Sequence, residues 1–169
     1  MILRCTVKVL QLVSDGRSPL AGATAAGSDD DWYANLLWFD RRKCLLITHA
    51  GTLFSVFGAD VRKADVLPVG RFVVPLIERE LRSEGLPSTA FGMLDPDDVH
   101  LAKTTNRTVL GCMNDMAIQC QCFIADEGGL AATDINALNH HLRRTMNRPR
   151  GYARPVDLAA RWMGVGGSG

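Results

Sequence analysis

The chain has 169 residues, of which 47% are hydrophobic, and a formal net charge of +1. That is enough length and apolar content for one domain with its own core, and it excludes a disordered chain. It also excludes a bulk basic or acidic protein, so an electrostatic partner has to be met by a local patch.

The opening "MILRCTVKVLQLV" is apolar but interrupted by Arg4 and Lys8. It reads as a first strand over residues 2–12, not as a secretory signal. No apolar run approaches the roughly 18–20 residues of a membrane span. Cys5, Cys44, Cys112, Cys120 and Cys122 make an odd number of cysteines. With no signal, they point to free thiols in a reducing, cytoplasmic setting. Residues 14–31, "SDGRSPLAGATAAGSDDD", are small and polar with nothing to bury, and are expected to form a flexible internal loop.

Residues 32–57 then predict three antiparallel strands, over 32–39, 44–49 and 52–57, with "DRRK" and "HAG" as turns. The spacing of Val73, Leu76, Ile77 and Leu81 predicts a helix over 72–84 that Gly85 ends, and that Pro75 either opens or bends. Residues 99–103 read as a further strand. A helix over 107–125 follows, capped by Asn106 or Thr105 and stopped at Gly128 and Gly129. Another is capped by Thr133 or Asp134 and buries Ile135, Leu138 and Leu142. Pro155 opens a short last helix, and 164–169 read as a disordered tail. Strands first and helices after argue for a single α+β domain over 1–163: an antiparallel sheet packed by three to four helices.

The basic stretch "NHHLRRTMNRPRGYARP" holds Arg143, Arg144, Arg148, Arg150 and Arg154, and no Asp or Glu occurs from residue 135 to 156. Guanidinium forks suit phosphate oxygens, and Tyr152 among them can stack on a base. Arg143 and Arg144 also suit the negative end of a helix dipole, whereas Arg148 and Arg150 lie beyond that helix. Arg41, Arg42 and Lys43 form a second basic group at a hairpin tip. The two groups support one polyanion site only if they share a face.

In the helix over 107–125, Arg107, Gly111 and Asn114 fall on one line with Asp115 beside it. Gly111 costs roughly 1 kcal/mol against alanine there, which suggests the close approach of another backbone or a ligand. Together with Asn106 these residues form either a small-ligand site or a buried polar network. Cys120 and Cys122 point apart on a helix and cannot share a zinc ion, and no metal or cofactor is expected. No GxSxG, P-loop, GxGxxG or HExxH pattern is present. His49, His100 and Asp115 could form an acid–base pair only through the fold.

The segments "ILRCT", "DRRKCLL", "NRTVLGCMND" and "GYARPVDL" resemble a bacterial family known as domain of unknown function 6933, over residues 1 to about 162. The resemblance implies a single cytoplasmic bacterial domain. It brings no activity and no catalytic residues with it. It marks Asp40, Arg41, Arg42, Lys43, Cys44, Asn106, Arg107, Asn114 and Asp115 as the positions to test first.

Three functions are weighed. The first is a non-enzymatic module binding a polyanion such as nucleic acid through residues 41–43 and 143–154. Reversing Arg148 and Arg150 to Glu is then expected to abolish binding with the melting temperature unchanged. The second is a protein-interaction or regulatory component, an oligomer or an inhibitor of a partner, with no membrane role. The third is a small-ligand enzyme centred on Arg107, Asn114 and Asp115.

Overall fold

The computed structural model describes residues 1–13 and 27–162. Most of the loop read over residues 14–31, and all of the tail read over 164–169, lie outside the described residues. In chain order the elements are β1 (Ile2–Cys5), α1 (Val7–Val13), β2 (Trp32–Phe39), β3 (Arg42–His49), β4 (Ser55–Gly58), α2 (Val69–Ser83), β5 (His100–Lys103), α3 (Arg107–Asp126), α4 (Ile135–Arg144) and α5 (Pro155–Trp162), with a 3-10 turn at Arg148–Arg150 before α5.

The domain is α+β, and its sheet is mixed, not antiparallel. The strand order is β4-β3-β2-β1-β5, and β1 runs parallel to both β2 and β5. The expected strand over 2–12 is in fact β1 followed by α1. Parallel pairing of β1 with β2 requires a crossover, and the apolar residues after Thr6 supply it. Val9, Leu12 and Val13, the buried residues of α1, have helical spacing. Tertiary context here overrides the β preference of a valine-rich run.

Helices cover both faces of the sheet, which is why β2 and β3 are apolar on both sides. Leu3, Ala34, Leu36, Leu45 and Ile47 join α1 and α2 in one core. Tyr33, Cys44, Leu46 and Phe57 join α3 and α4 in the other. Pro75 lies inside α2, not at its start. Gly70 of α2 sits against the carbonyl of Pro96, where a Cβ would clash with backbone. Asn106 caps α3, its side chain accepting from the amides of Thr108 and Val109, and Asp134 caps α4 in the same way.

The far end of the sheet is closed by a buried ion pair. Arg4 Nε donates to Asp31 Oδ2 at 2.5 Å, and Arg4 Nη1 donates to the Lys103 carbonyl at 3.2 Å. Asp31 is 3% exposed, so the segment before β2 does bury a side chain. Tyr33 completes the tie, its hydroxyl 3.3 Å from Thr105 Oγ1 and accepting from the Asn106 amide at 3.2 Å. The "ILRCT" and "NRT" segments therefore meet in space as a joint between β1, β2 and the start of α3.

Candidate polyanion-binding groove

The β2–β3 hairpin pairs Trp38 with Lys43 and Phe39 with Arg42, leaving Asp40 and Arg41 as a two-residue turn with φ of 48° and 63°. Sheet alternation puts Leu36, Trp38 and Lys43 on the α1 side. There they meet Lys8 and Gln11, which sit at i and i+3 on the exposed flank of α1. The chain after β4 returns alongside β3, the Val61 amide donating to the Lys43 carbonyl at 2.7 Å, and brings Lys63 to the same place. The result is a groove of about 340 Å³ with Leu12 and Leu36 as its floor and three lysines at its sides.

Three of the four lysines in the chain line this one groove. Among the described residues no ion pair involves Lys8, Lys43 or Lys63. Lys43 Nζ instead lies 5.4 Å from the centre of the Trp38 ring, a cation–π contact. Trp38 is 54% exposed, unusual for so large an apolar side chain. Among the described residues, the acids that follow β3 and that of the hairpin turn have other hydrogen-bond partners. Asp60 pairs with Arg42 at 3.3 Å, Asp65 accepts from the Arg62 amide, and Asp40 accepts from the Leu130 amide at 2.6 Å on the other side of the hairpin. Uncompensated cations, an open indole and an apolar floor suit a ligand that is anionic and flat in part.

The basic stretch over 143–154 is placed differently from its sequence reading. Arg143 is fully buried, donating to Glu80 Oε2 at 2.9 Å and to Glu84 Oε1 at 2.7 Å, with Phe54 5.3 Å from its guanidinium. Arg144 pairs with Glu84 at 2.7 Å. Burial alone would push the Glu84 carboxyl up, but hydrogen bonds from Arg144 and Arg143 outweigh it and hold the carboxyl below its usual range. Arg150 Nη2 donates to the Ala50 carbonyl at 2.5 Å and meets Asp29 at 3.4 Å, and Arg154 pairs with Asp157 at 2.7 Å. The stretch has no acid of its own because α2, the segment before β2 and α5 supply them. Arg148 and Tyr152 remain exposed.

The two basic groups lie at opposite ends of the β2–β3 hairpin. Arg150 is tied beside Ala50, just past the end of β3, while Arg41 is at the opposite end of the hairpin. Eight residues at about 3.3 Å each separate them by roughly 25 Å.

Asn106 is the cap of α3, and Arg107, Gly111, Asn114 and Asp115 face solvent. A Cβ on Gly111 would meet nothing within 4 Å. These positions therefore form neither a buried polar network nor a close approach of backbones. His49 is 1% exposed, packed against Trp32, Phe91 and Trp162 on the face of the sheet away from α3. Burial and then the charge of Arg150 push its pKa down to about 3. It does not meet Asp115, and His100 pairs with Asp98 at 2.8 Å.

Burial raises the thiols of Cys5 and Cys120 to about 12 and also raises those of Cys44 and Cys112, so none of the four is a ready nucleophile. Cys120 is buried and Cys122 exposed, on diverging sides of α3. Among the described residues no three His, Cys, Asp or Glu side chains gather to hold a metal ion, and no helix is long and apolar enough to cross a membrane.

Of the groove residues, Lys43 stood out in the sequence. Lys8, Gln11, Trp38 and Lys63 did not. The signal for Trp38 was present: a two-residue turn at 40–41 dictates its pairing with Lys43. The chain matches the family described as Domain of unknown function (DUF6933) over residues 2–158 and belongs to it. Neither a curated protein nor a solved structure matches it.

Proposed function

We propose that this member of the DUF6933 family is a binding module for a polyanion, nucleic acid being the class that fits best, and that the ligand lies in the groove between α1 and the β2–β3 hairpin. One observation carries the reading: Lys8, Lys43 and Lys63 line a groove beside an exposed tryptophan, and among the described residues no carboxylate pairs with them. Holding three like charges together lowers stability slightly, so an anionic ligand is the physical counterpart they lack. Of the hairpin-tip arginines, Arg42 is paired with Asp60, and Arg41 lies in the turn outside the groove lining. A bacterial cytoplasm, where free thiols persist and nucleic acid is abundant, is part of this reading.

The test is fluorescence anisotropy of labelled oligonucleotides at low salt, comparing the wild type with Lys8→Glu and Lys63→Glu. Both lysines are exposed, so the variants should melt like the wild type. Each should weaken binding several-fold, and together they should abolish it. Unchanged affinity in the double variant would remove the groove from the account.

A second reading, contact with a protein partner, has its own support in the segment after α4. Met146 is 63% exposed and Tyr152 61%, with Arg148 between them, and all three residue types are enriched at protein interfaces. Self-association would appear as a dimer by light scattering that Met146→Glu with Tyr152→Ser disperses. A monomer at all concentrations would leave only a different protein as the partner.

A further inference from the structure

We infer that the groove takes a single strand of nucleic acid with an unpaired base stacked on Trp38, and not a duplex. The inference rests on the polyanion reading above and goes further by naming the form of the ligand. Two features argue for it.

The first is the ring itself. A duplex presents phosphates and groove edges to a protein, while its base faces are covered by their neighbours. A tryptophan that is 54% exposed amid lysines matches a ligand with uncovered π-faces and phosphates together, which is an unpaired strand. With a base on the indole, its phosphates fall toward the rim, where Lys8 and Lys63 stand and where the Lys43 ammonium, already 5.4 Å from the ring centre, can reach them.

The second is the hairpin. A two-stranded ribbon reads a duplex by projecting into its major groove. This tip does not project. Asp40 is fastened to the Leu130 amide at 2.6 Å and Arg42 to Asp60, so the turn lies against the body of the domain.

The experiment uses the full chain and three labelled probes: a 15-nucleotide oligothymidylate, a duplex of equal length, and heparin. Affinities are measured for the wild type, Trp38→Ala and Trp38→Phe, with melting temperatures recorded alongside. Single-strand binding should exceed duplex binding at least tenfold. Trp38→Ala should weaken it about 5- to 100-fold, the range for loss of one base–aromatic stack, and Trp38→Phe should restore most of the loss. Heparin affinity should be unchanged in both variants, because heparin has no base to stack. Equal binding of all three probes with no effect of Trp38→Ala would overturn the inference while leaving a polyanion groove. No binding of any probe at low salt would overturn both.

Discussion

Gly111 and Gly70 show what a single residue can and cannot announce. Gly111 draws attention because it lies mid-helix in a polar run, yet a side chain there meets open space. Gly70 sits inconspicuously in "VGRF", yet a side chain there runs into the Pro96 carbonyl and Val99. Gly111→Ala should therefore stabilise the protein by about 0.5–1 kcal/mol in a urea melt, through helix propensity alone. Gly70→Ala should destabilise it by about 1–3 kcal/mol, the usual cost of overpacking. His49 makes a second prediction at this scale. Its folded-state pKa of about 3 lies far below the ordinary 6.5, so between those values the unfolded chain holds a proton that the folded one does not. Stability from this group is complete above pH 6.5 and falls as pH drops toward 3, at up to about 1.4 kcal/mol per pH unit. His49→Gln should flatten that slope in melts taken across the acid range. A slope unchanged by the substitution would show that His49 titrates normally in the fold.

Among the elements, α4 is held to α2 by the Arg143 network more than by its short apolar face. Arg143 has no exposed surface, and the side chains of Glu80 and Glu84 are 2% and 1% exposed. Arg143→Met would leave two carboxylates largely buried without their main partner, and should cost about 3–5 kcal/mol in chemical denaturation. Replacing Glu80 and Glu84 by Leu at the same time should recover much of the loss, since the penalty lies in the stranded charges. The sequence reading missed this because the partners are 59 and 63 residues away. The arginines of α4 are visible as cations in the sequence, but nothing local shows that their counter-ions come from α2. The α1 segment was misread for a related reason. The run VKVLQLV fits both periods, Val7 and Val9 alternating as in a strand and Val9, Leu12 and Val13 spaced as in a helix, and the parallel pairing of β1 with β2 decides for the helix. What the sequence showed well were the elements with strong local grammar: the β2–β3 hairpin, α3 from its Asn106 cap, and α4 from its Asp134 cap.

At the scale of the whole molecule, the near-zero net charge conceals a division of labour between the two kinds of cation. In the basic stretch the structural arginines, 143, 144, 150 and 154, are paired with acids from other elements, while among the described residues the lysines of the groove are not. The groove was only part-legible beforehand, because Lys8, Lys43 and Lys63 come together through the crossover after β1 and the return of the chain after β4. The roughly 25 Å between the two basic ends exceeds a Debye length of about 8–10 Å at moderate salt, so each acts alone. Arg150→Glu should lower the melting temperature, since it breaks the bond to the Ala50 carbonyl, and Arg148→Glu should not. Neither should change oligonucleotide affinity more than about twofold, in place of the loss expected from the sequence alone.

The measurement that tests the groove most directly is the salt dependence of oligothymidylate binding, for the wild type and for Lys8→Gln with Lys43→Gln and Lys63→Gln. If the three lysines neutralise phosphates, the slope of log affinity against log salt should be about −2 in the wild type and near zero in the triple variant, at roughly 0.7 per phosphate contact on a single strand. The same slope in both proteins would contradict the account, because the phosphates would then be met somewhere other than this groove.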